Sequence, residues 1–427
     1  MTYIHLVTKK YKKMNIFLKK LFLPFTKESS LAGLFFFFVL SSWYVLRPVR
    51  NEMAVSNVDN LPLLLAAGAL AMLLVNPIYS WAASQNNLKR LLITCYLFFI
   101  ANLLGFLFSW KVLDLQGVAW LGRAFYIWCN IYSFFVVSIF WVVIINVFRS
   151  SQSRNYYGVI MAGGSFGALF GSEISKRFSS SFTNYGLEFF SMSAIFLLFA
   201  ALFVGLILIS YTNSKNNHET AKAVGGGGFD GIRNALTKKD IRSIAIYVWI
   251  WTGLMTVHWM TAISIIDAWS SDSVERIALF AEMEQLVTIL TLPTQLLLTS
   301  IIINFLGVRK ILFLYGTAFL LVFLAYSISP TISIVIFVTV FLRLFEYAIN
   351  KPTREIVYSH LQQNDRYKSS VFVDTFVSRF GDLSGSLFIT FGQFIGVTFS
   401  VIPLLAIPLT GILSYVGIKI SKETKIY

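Results

Sequence analysis

Twelve apolar stretches, each 19 to 28 residues long, recur along this 427-residue chain and limit its possible folds more than any other feature. A helix of about 20 apolar residues crosses the hydrocarbon core of a bilayer, where every backbone polar group must be paired within the helix. The sequence therefore predicts an all-α polytopic membrane protein with twelve transmembrane helices. The predicted spans are 31–50, 62–82, 89–109, 121–148, 157–175, 188–210, 243–266, 279–303, 309–327, 331–350, 370–394 and 398–418.

The composition supports this class and excludes others. Hydrophobic residues make up 56% of the chain and charged residues 13%, whereas soluble domains average about 45–50% and about 25%. A soluble enzyme, a disordered chain and a fibrous repeat are excluded.

The positive charges are distributed unevenly between the two sides of the predicted membrane. If the N-terminus is cytoplasmic, 26 Lys and Arg residues lie in or beside cytoplasmic loops and six lie on the outer side. Cytoplasmic loops of membrane proteins carry such an excess. The net charge of +15 is thus explained by topology and membrane lipids, with no nucleic acid as a partner, and both termini are predicted to be cytoplasmic.

The chain divides into two halves of six spans. A basic segment, 1–30, precedes the first six-helix bundle, 31–210; a polar linker with four successive glycines, 211–242, leads to the second bundle, 243–418, and a short tail, 419–427. Two six-helix bundles joined in this way are the layout of major facilitator transporters.

An internal repeat indicates that the halves are related. FGALFGS at 166–172 in the fifth span matches FGDLSGS at 380–386 in the eleventh span at five of seven positions, with an offset of 214 residues. Small residues at this spacing let helices approach closely in lipid, so independent packing motifs are the alternative to duplication.

No enzyme signature is present. The sequence contains no HExxH, GxSxG or GxxxxGK[ST] motif and no metal-spaced His/Cys clusters. We therefore predict a non-enzyme without cofactor or metal.

Charged residues within spans are the candidate functional residues, because charge in a bilayer is costly unless it faces a partner or an aqueous cavity. Arg47 and Arg50, three residues apart on one helix face, are predicted to bind an anionic substrate; the alternative is contact with outer lipid headgroups. Pro48 between them predicts a break in that helix.

Three further spans contribute predicted substrate-binding residues. Helical spacing places Arg343, Glu346 and Asn350 on one stripe of the tenth span, lining either a cavity or a structural ion-pair network. Arg354 and Glu355, at the end of that stripe, are predicted to form a cytoplasmic gate or structural network.

The eleventh span carries Asp374, Arg379 and Asp382, of which the last two can pair because they are three residues apart. A structural or proton-linked role is the alternative to substrate binding here. Asn130 in the fourth span is predicted to hydrogen-bond the substrate, with helix packing as its alternative.

Several stretches of the sequence resemble one transporter family. They are YVLRPVRNEMAV at 44–55, WCNIYSFFVVSIFW at 128–141, GVIMAGGSFGALFGS at 158–172, RIALFAEMEQ at 276–285 and LRLFEYAINKPTREIVYSHLQQNDRYKSSVFVDTFVSRFGDLSG at 342–385. They are similar to the ATP/ADP translocases of bacteria and plastids, in particular to the bacterial major-facilitator-like branch. The resemblance implies a major facilitator fold in a bacterial inner membrane, nucleotide exchange, and phosphate contacts by Arg47 and Arg50.

Two hypotheses of function follow. The first is a secondary active transporter of an anionic metabolite, with nucleotide exchange as the specific candidate. The second is a membrane protein of transporter fold that acts as a sensor or assembly partner without transport.

The topology can be tested by cysteine labelling. In a protein whose Cys95 and Cys129 are replaced by alanine, we expect Ser214→Cys to be protected from an impermeant maleimide in intact cells. Ser271→Cys is expected to react, since it lies in a predicted outer loop. The reverse pattern would contradict the twelve-span topology.

Overall fold

The computed structural model describes residues 26–83, 87–112, 119–147, 157–182, 186–215, 230–360, 369, 372–397 and 401–423. These residues are almost entirely helical, and no strand occurs in these ranges. The predicted all-α fold class is therefore confirmed. Most of the predicted basic N-terminal segment, and parts of the linker and tail, lie outside the described residues.

Six long helices form the first half. They are α1 (Lys27–Val55), α2 (Leu61–Ala83), α3 (Leu88–Leu107, extended by a π-helical turn Phe108–Val112), α4 (Ala119–Val147), α5 (Tyr157–Arg177) and α6 (Glu188–Lys215). Within this half α1 packs mainly against α5, α6 and α4.

The second half begins with a short helix, Asp230–Thr237, and α7 (Lys239–Trp269). Next, α8 (Ser273–Pro293) continues through a π-helical turn, Thr294–Leu298, into the helix Thr299–Ile328. Gly307, with φ of 74°, breaks that helix, and the part after the break, 308–328, is α9.

The last three helices contain further irregularities. They are α10 (Ile332–Phe345, a π-helical turn Glu346–Asn350, then Lys351–Ser359), α11 (a π-helical turn Val373–Val377, then Ser378–Phe394) and α12 (Ile402–Leu405 and Ile407–Glu423). Gln295 Nε2 donates to the Tyr347 carbonyl oxygen at 2.9 Å, and Thr299 Oγ1 donates to that of Ala348 at 2.6 Å. Side chains of the irregular part of α8 thus satisfy carbonyl groups in the irregular part of α10.

The helices of the described residues fit the twelve predicted spans. Nine segments are long and apolar enough to cross a membrane. One of these, the segment 273–328, contains both α8 and α9. The more polar α5 and α11 complete the set.

The sequence predicts a break in the first helix at Pro48, but the structure shows no break there. The helix runs without interruption from Lys27 to Val55 with Pro48 inside it and buried. Pro48 removes one backbone donor, and a buried membrane helix tolerates such a loss because its neighbours hold it in place.

The repeated glycine segments occupy equivalent places in the two halves. A Cβ atom on Gly167 of α5 would overlap the carbonyl group of Phe37 in α1. A Cβ atom on Gly381 of α11 would lie 2.6 Å from the carbonyl oxygen of Trp249 in α7. Each segment therefore holds two helix backbones in direct contact, which agrees with duplication of a six-helix unit.

The contacts between the halves follow the same relation. The first half meets the second mainly through α5 against α8 and through α2 against α11. In the duplicated arrangement α2 corresponds to α8, and α5 corresponds to α11. The two contacts between the halves are therefore equivalent. The central space between the halves is thus enclosed by two equivalent contacts.

The glycine contacts predict a strong packing effect. We expect Gly167→Val and Gly381→Val each to lower the free energy of unfolding by about 1–3 kcal/mol or more, because the helix backbones must separate. Gly105→Val in α3 is the control, since nothing lies within 4 Å of a Cβ atom there. Thermal unfolding in detergent measures the effect, and three equal midpoints would contradict the packing argument.

Candidate functional site

A cavity of about 310 Å³ lies between the two halves. Helices α1 and α4 contribute Arg47, Arg50, Tyr126 and Asn130, while α2 supplies an apolar wall. The second half contributes Met255, Thr256, His258, Trp259, Thr339, Arg343, Tyr347, Arg379 and Asp382. The cavity is therefore built by both halves and is at the small end of the volume range of ligand sites, about 300–1,000 Å³.

Two of the cavity arginines share one carboxylate. Arg343 Nη1 and Nη2 donate to the two carboxylate oxygens of Glu284 at 2.6 and 2.8 Å. Arg47 Nη1 lies 3.1 Å from Glu284 Oε2. Because Arg47 is in α1 and Glu284 in α8, this cluster links the two halves.

Arg50 is held by neutral groups. It donates to Asn130 Oδ1 at 2.7 Å and to Asn51 Oδ1 at 2.6 and 3.1 Å, and its guanidinium lies over the rings of Trp43 and Tyr126. Within the part of the chain that the structure describes, no carboxylate forms an ion pair with Arg50. The predicted binding residues Arg50 and Asn130 thus lie together at the cavity.

Arg379 and Asp382 form the pair that their spacing predicts. Arg379 Nη1 donates to Asp382 Oδ2 at 2.7 Å, and Asp382 Oδ1 accepts a longer hydrogen bond of 3.4 Å from Thr256. With Arg47, Arg50 and Arg343, four positive side chains face the carboxylates of Glu284 and Asp382. The described side chains therefore give this region an excess of positive charge.

The structure places the other predicted residues of α10 outside the cavity. Glu346 accepts from Arg354 at 2.7 Å and from Asn350 Nδ2 at 2.6 Å, and Tyr247 donates to Asn350 Oδ1 at 2.9 Å. Glu346, Asn350 and Arg354 are all buried. They form the ion-pair network that the sequence analysis left as the alternative to a cavity lining.

Two further predicted residues lie near this network rather than at the cavity. Asp374 in α11 is solvent-exposed, and it lies close enough to Arg354 for electrostatic attraction. Glu355, predicted as a gate residue with Arg354, is exposed on α10.

A second ion pair joins the halves near the end of α1. Arg276 Nε donates to Glu52 Oε2 at 2.8 Å, a second guanidinium nitrogen contacts Glu52 Oε1, and Ser273 Oγ donates to Glu52 at 2.8 Å. Glu52 is fully buried and Arg276 is 6% exposed. These contacts join the two halves at what we call the α1–α8 end, where α1 ends and α8 begins.

Sequence patterns alone do not single out Glu52, Glu284 or Arg276 as functional residues. Glu52 and Arg276 lie just outside predicted spans, where a charged side chain can reach water, and Glu284 lies in the first two turns of the predicted span 279–303. The spacing gives little signal, because Glu52 lies five residues after Arg47 and is therefore about 140° away from it around the helix. Only the packing of α1 against α8 shows that these charges face one another.

Comparisons with known proteins identify the fold. No protein-family model matches this sequence, and no curated protein matches it. Among solved structures, the nucleoside transporter NupG is similar with a TM-score of 0.62 and 10% identity, covering 93% of this chain and all of NupG. A point mutant of NupG gives a TM-score of 0.63 with 10% identity, covering 92% of this chain and all of the mutant.

A bacterial homologue of the human lysosomal transporter Spinster, in an inward-facing and unoccupied conformation, is also similar. Its TM-score is 0.54 with 14% identity, covering 94% of this chain and 95% of the homologue. The chain has a major facilitator-type fold. It is a multi-pass membrane protein, and its neighbours in structure are transporters rather than enzymes.

The buried pair at the α1–α8 end predicts a strong effect of neutralising one partner. We expect Glu52→Gln to lower the free energy of unfolding by about 3–5 kcal/mol, because the buried Arg276 loses its countercharge. Glu188→Gln is the control, since Glu188 pairs with Lys111 at the surface and such pairs contribute little. Thermal unfolding of the two variants should show a large shift only for Glu52→Gln.

Proposed function

We propose that this protein is a secondary active transporter that carries an anionic metabolite by alternating access, with phosphorylated compounds such as nucleotides as the candidate substrates. The observation that carries the proposal is the charge of the central cavity. Arg47, Arg50 and Arg343 converge there, and Glu284 is the one carboxylate among the described residues that pairs with any of the three.

The energetics of buried charge favour a bound anion. An arginine within a membrane protein is costly unless it has a countercharge or water. Arg50 has amide and ring contacts instead, and the buried Nε atoms of Arg47 and Arg343 have no hydrogen-bond partner among the described residues. Guanidinium groups bind phosphate and carboxylate through paired hydrogen bonds, so an anion would supply what this cluster lacks.

Aromatic residues of the cavity support the choice of nucleotides among possible anions. Tyr126, Trp259 and Tyr347 line the same space as the arginines. Aromatic rings bind nucleobases by stacking, while the arginines would hold the phosphates. The resemblance to nucleotide translocases in the first-helix and tenth-helix segments agrees with this assignment.

The ion pairs between the halves suggest how movement follows binding. With the predicted topology, the α1–α8 end is on the outer side, so the contacts of Glu52 with Arg276 close the outer side. We propose that the bundles 31–210 and 243–418 rock against one another around the central cavity in an inner membrane. The network of Arg354 near the cytoplasmic end would then belong to the second bundle alone.

The substrate class can be tested with purified protein. We expect AMP, ADP or inorganic phosphate to raise the thermal unfolding midpoint, and adenosine, which lacks the phosphate, to have a much smaller effect. Proteoliposomes loaded with the binding compound should then accumulate its labelled form by counterflow. Stabilisation by adenosine alone would contradict an anionic substrate, and binding without counterflow would favour the sensor hypothesis.

Substitution of Arg50 tests the site. We expect Arg50→Lys to weaken binding of the anion, because lysine lacks the paired donors of a guanidinium group. Arg50→Gln should weaken binding further, by about 10- to 150-fold relative to the unmodified protein, because it loses a charge-assisted hydrogen bond of about 1.5–3 kcal/mol. No buried carboxylate loses its partner in these variants. Arg90→Gln, exposed at the start of α3, is the matched control and should bind as the unmodified protein does.

A further inference from the structure

Glu284 holds its two arginine partners, Arg343 and Arg47, with unequal contacts. This difference bears on how binding is coupled to movement. Glu284 is 3% exposed and receives two short hydrogen bonds from Arg343 of its own half. Its contact with Arg47 of the other half is a single one of 3.1 Å. Arg47 is therefore the more weakly held of the two arginines.

Arg47 is also the arginine that is free to change partners. Its side chain is 18% exposed, compared with 9% for that of Arg343, and it lines the cavity. Its other contacts are both with Tyr44: a long hydrogen bond of 3.3 Å to the hydroxyl, and a position of the guanidinium 5.3 Å from the ring centroid. A small rotation would turn the guanidinium from Glu284 towards an anion in the cavity.

The contact of Arg47 with Glu284 is one of two ion pairs along the same two helices. Arg47 and Glu52 of α1 face Glu284 and Arg276 of α8, in that order from the cavity to the α1–α8 end. Loss of the inner pair would leave Glu52 and Arg276 as the remaining ion pair between α1 and α8. The ion pair at the cavity and the ion pair at the α1–α8 end thus join the same two helices.

We propose that Glu284 is the internal counter-anion of the empty cavity, and that a bound substrate anion takes Arg47 away from it. This proposal rests on the anionic substrate of the proposed function and adds the residue through which binding is sensed. Glu284 acts as a positioning residue: it competes with the substrate for Arg47, and the exchange breaks a link between the halves. Occupancy by an anion thereby loosens the α1–α8 end.

Neutralising Glu284 tests the competition. We expect Glu284→Gln to bind inorganic pyrophosphate at least about tenfold more tightly than the unmodified protein, since Arg47 and Arg343 are no longer engaged. Glu282→Gln is the matched control: Glu282 lies on the same helix and also pairs across the halves, with Lys176 at 3.4 Å, but it is outside the cavity. Isothermal titration of the detergent-purified proteins gives the affinities.

The outcomes separate this proposal from the proposed function. Equal or weaker binding by Glu284→Gln, with normal binding by the unmodified protein, would overturn the counter-anion role and leave an anionic substrate standing. If neither protein bound pyrophosphate or any phosphorylated compound, the proposed function and this inference would both fail. Tighter binding by Glu282→Gln as well would show a general charge effect and overturn the specific role.

A measurement on otherwise unmodified protein covers the case in which Glu284→Gln does not fold. Spin labels at the exposed positions Asn60 and Ser271 report the separation of the halves at the α1–α8 end. We expect pyrophosphate to increase the population of long distances between the labels. Glu284→Gln, where it folds, should show the long distances without pyrophosphate. The proposal would be overturned if the distances in the protein that keeps Glu284 did not change when pyrophosphate binds.

Discussion

The pairing of Arg343 with Glu284 is the interaction on which the central cavity depends. A guanidinium group deep within a membrane bundle needs a countercharge, and Glu284 supplies it through two hydrogen bonds. The same carboxylate reaches Arg47 of the other half. One acidic side chain thus makes two arginines tolerable in the bundle, yet it does not match their combined charge, and the remainder is available to a ligand.

The two kinds of helix contact in this protein suit two different tasks. Within each half, glycines of α5 and α11 bring backbones together so closely that no side chain fits between them. Between the halves, the contacts of α1 with α8 include ion pairs and hydrogen bonds. Dispersion contacts of the first kind are lost steeply with separation, whereas charged groups can exchange partners. The halves are thus closely packed internally, while the α1–α8 contacts between them contain ion pairs whose partners can change.

The sequence predicts the helices well because the bilayer imposes a length and a polarity on each of them. It also identifies Arg47, Arg50, Arg343, Arg379 and Asp382, all of which line the cavity. It fails where the rotation of one helix against another decides the outcome. Glu346 and Asn350 share a predicted stripe with Arg343, but in the structure they contact each other and Glu346 contacts Arg354, away from the cavity. Glu284 cannot be assigned to the cavity from the sequence, because nothing in the sequence shows that α8 turns this side chain towards Arg343.

The repeated segments retain their glycines but differ in charge. Asp382 of α11 lies between Gly381 and Gly385 and faces the cavity, whereas Ala168 holds the corresponding place between Gly167 and Gly171 of α5. The backbone arrangement is thus nearly two-fold symmetric while the chemistry of the cavity walls is not. The arginines and aromatic rings that line the cavity do not follow the two-fold relation between the halves. If this cavity holds the proposed substrate, its walls would distinguish the two ends of that molecule, and binding would occur in one orientation.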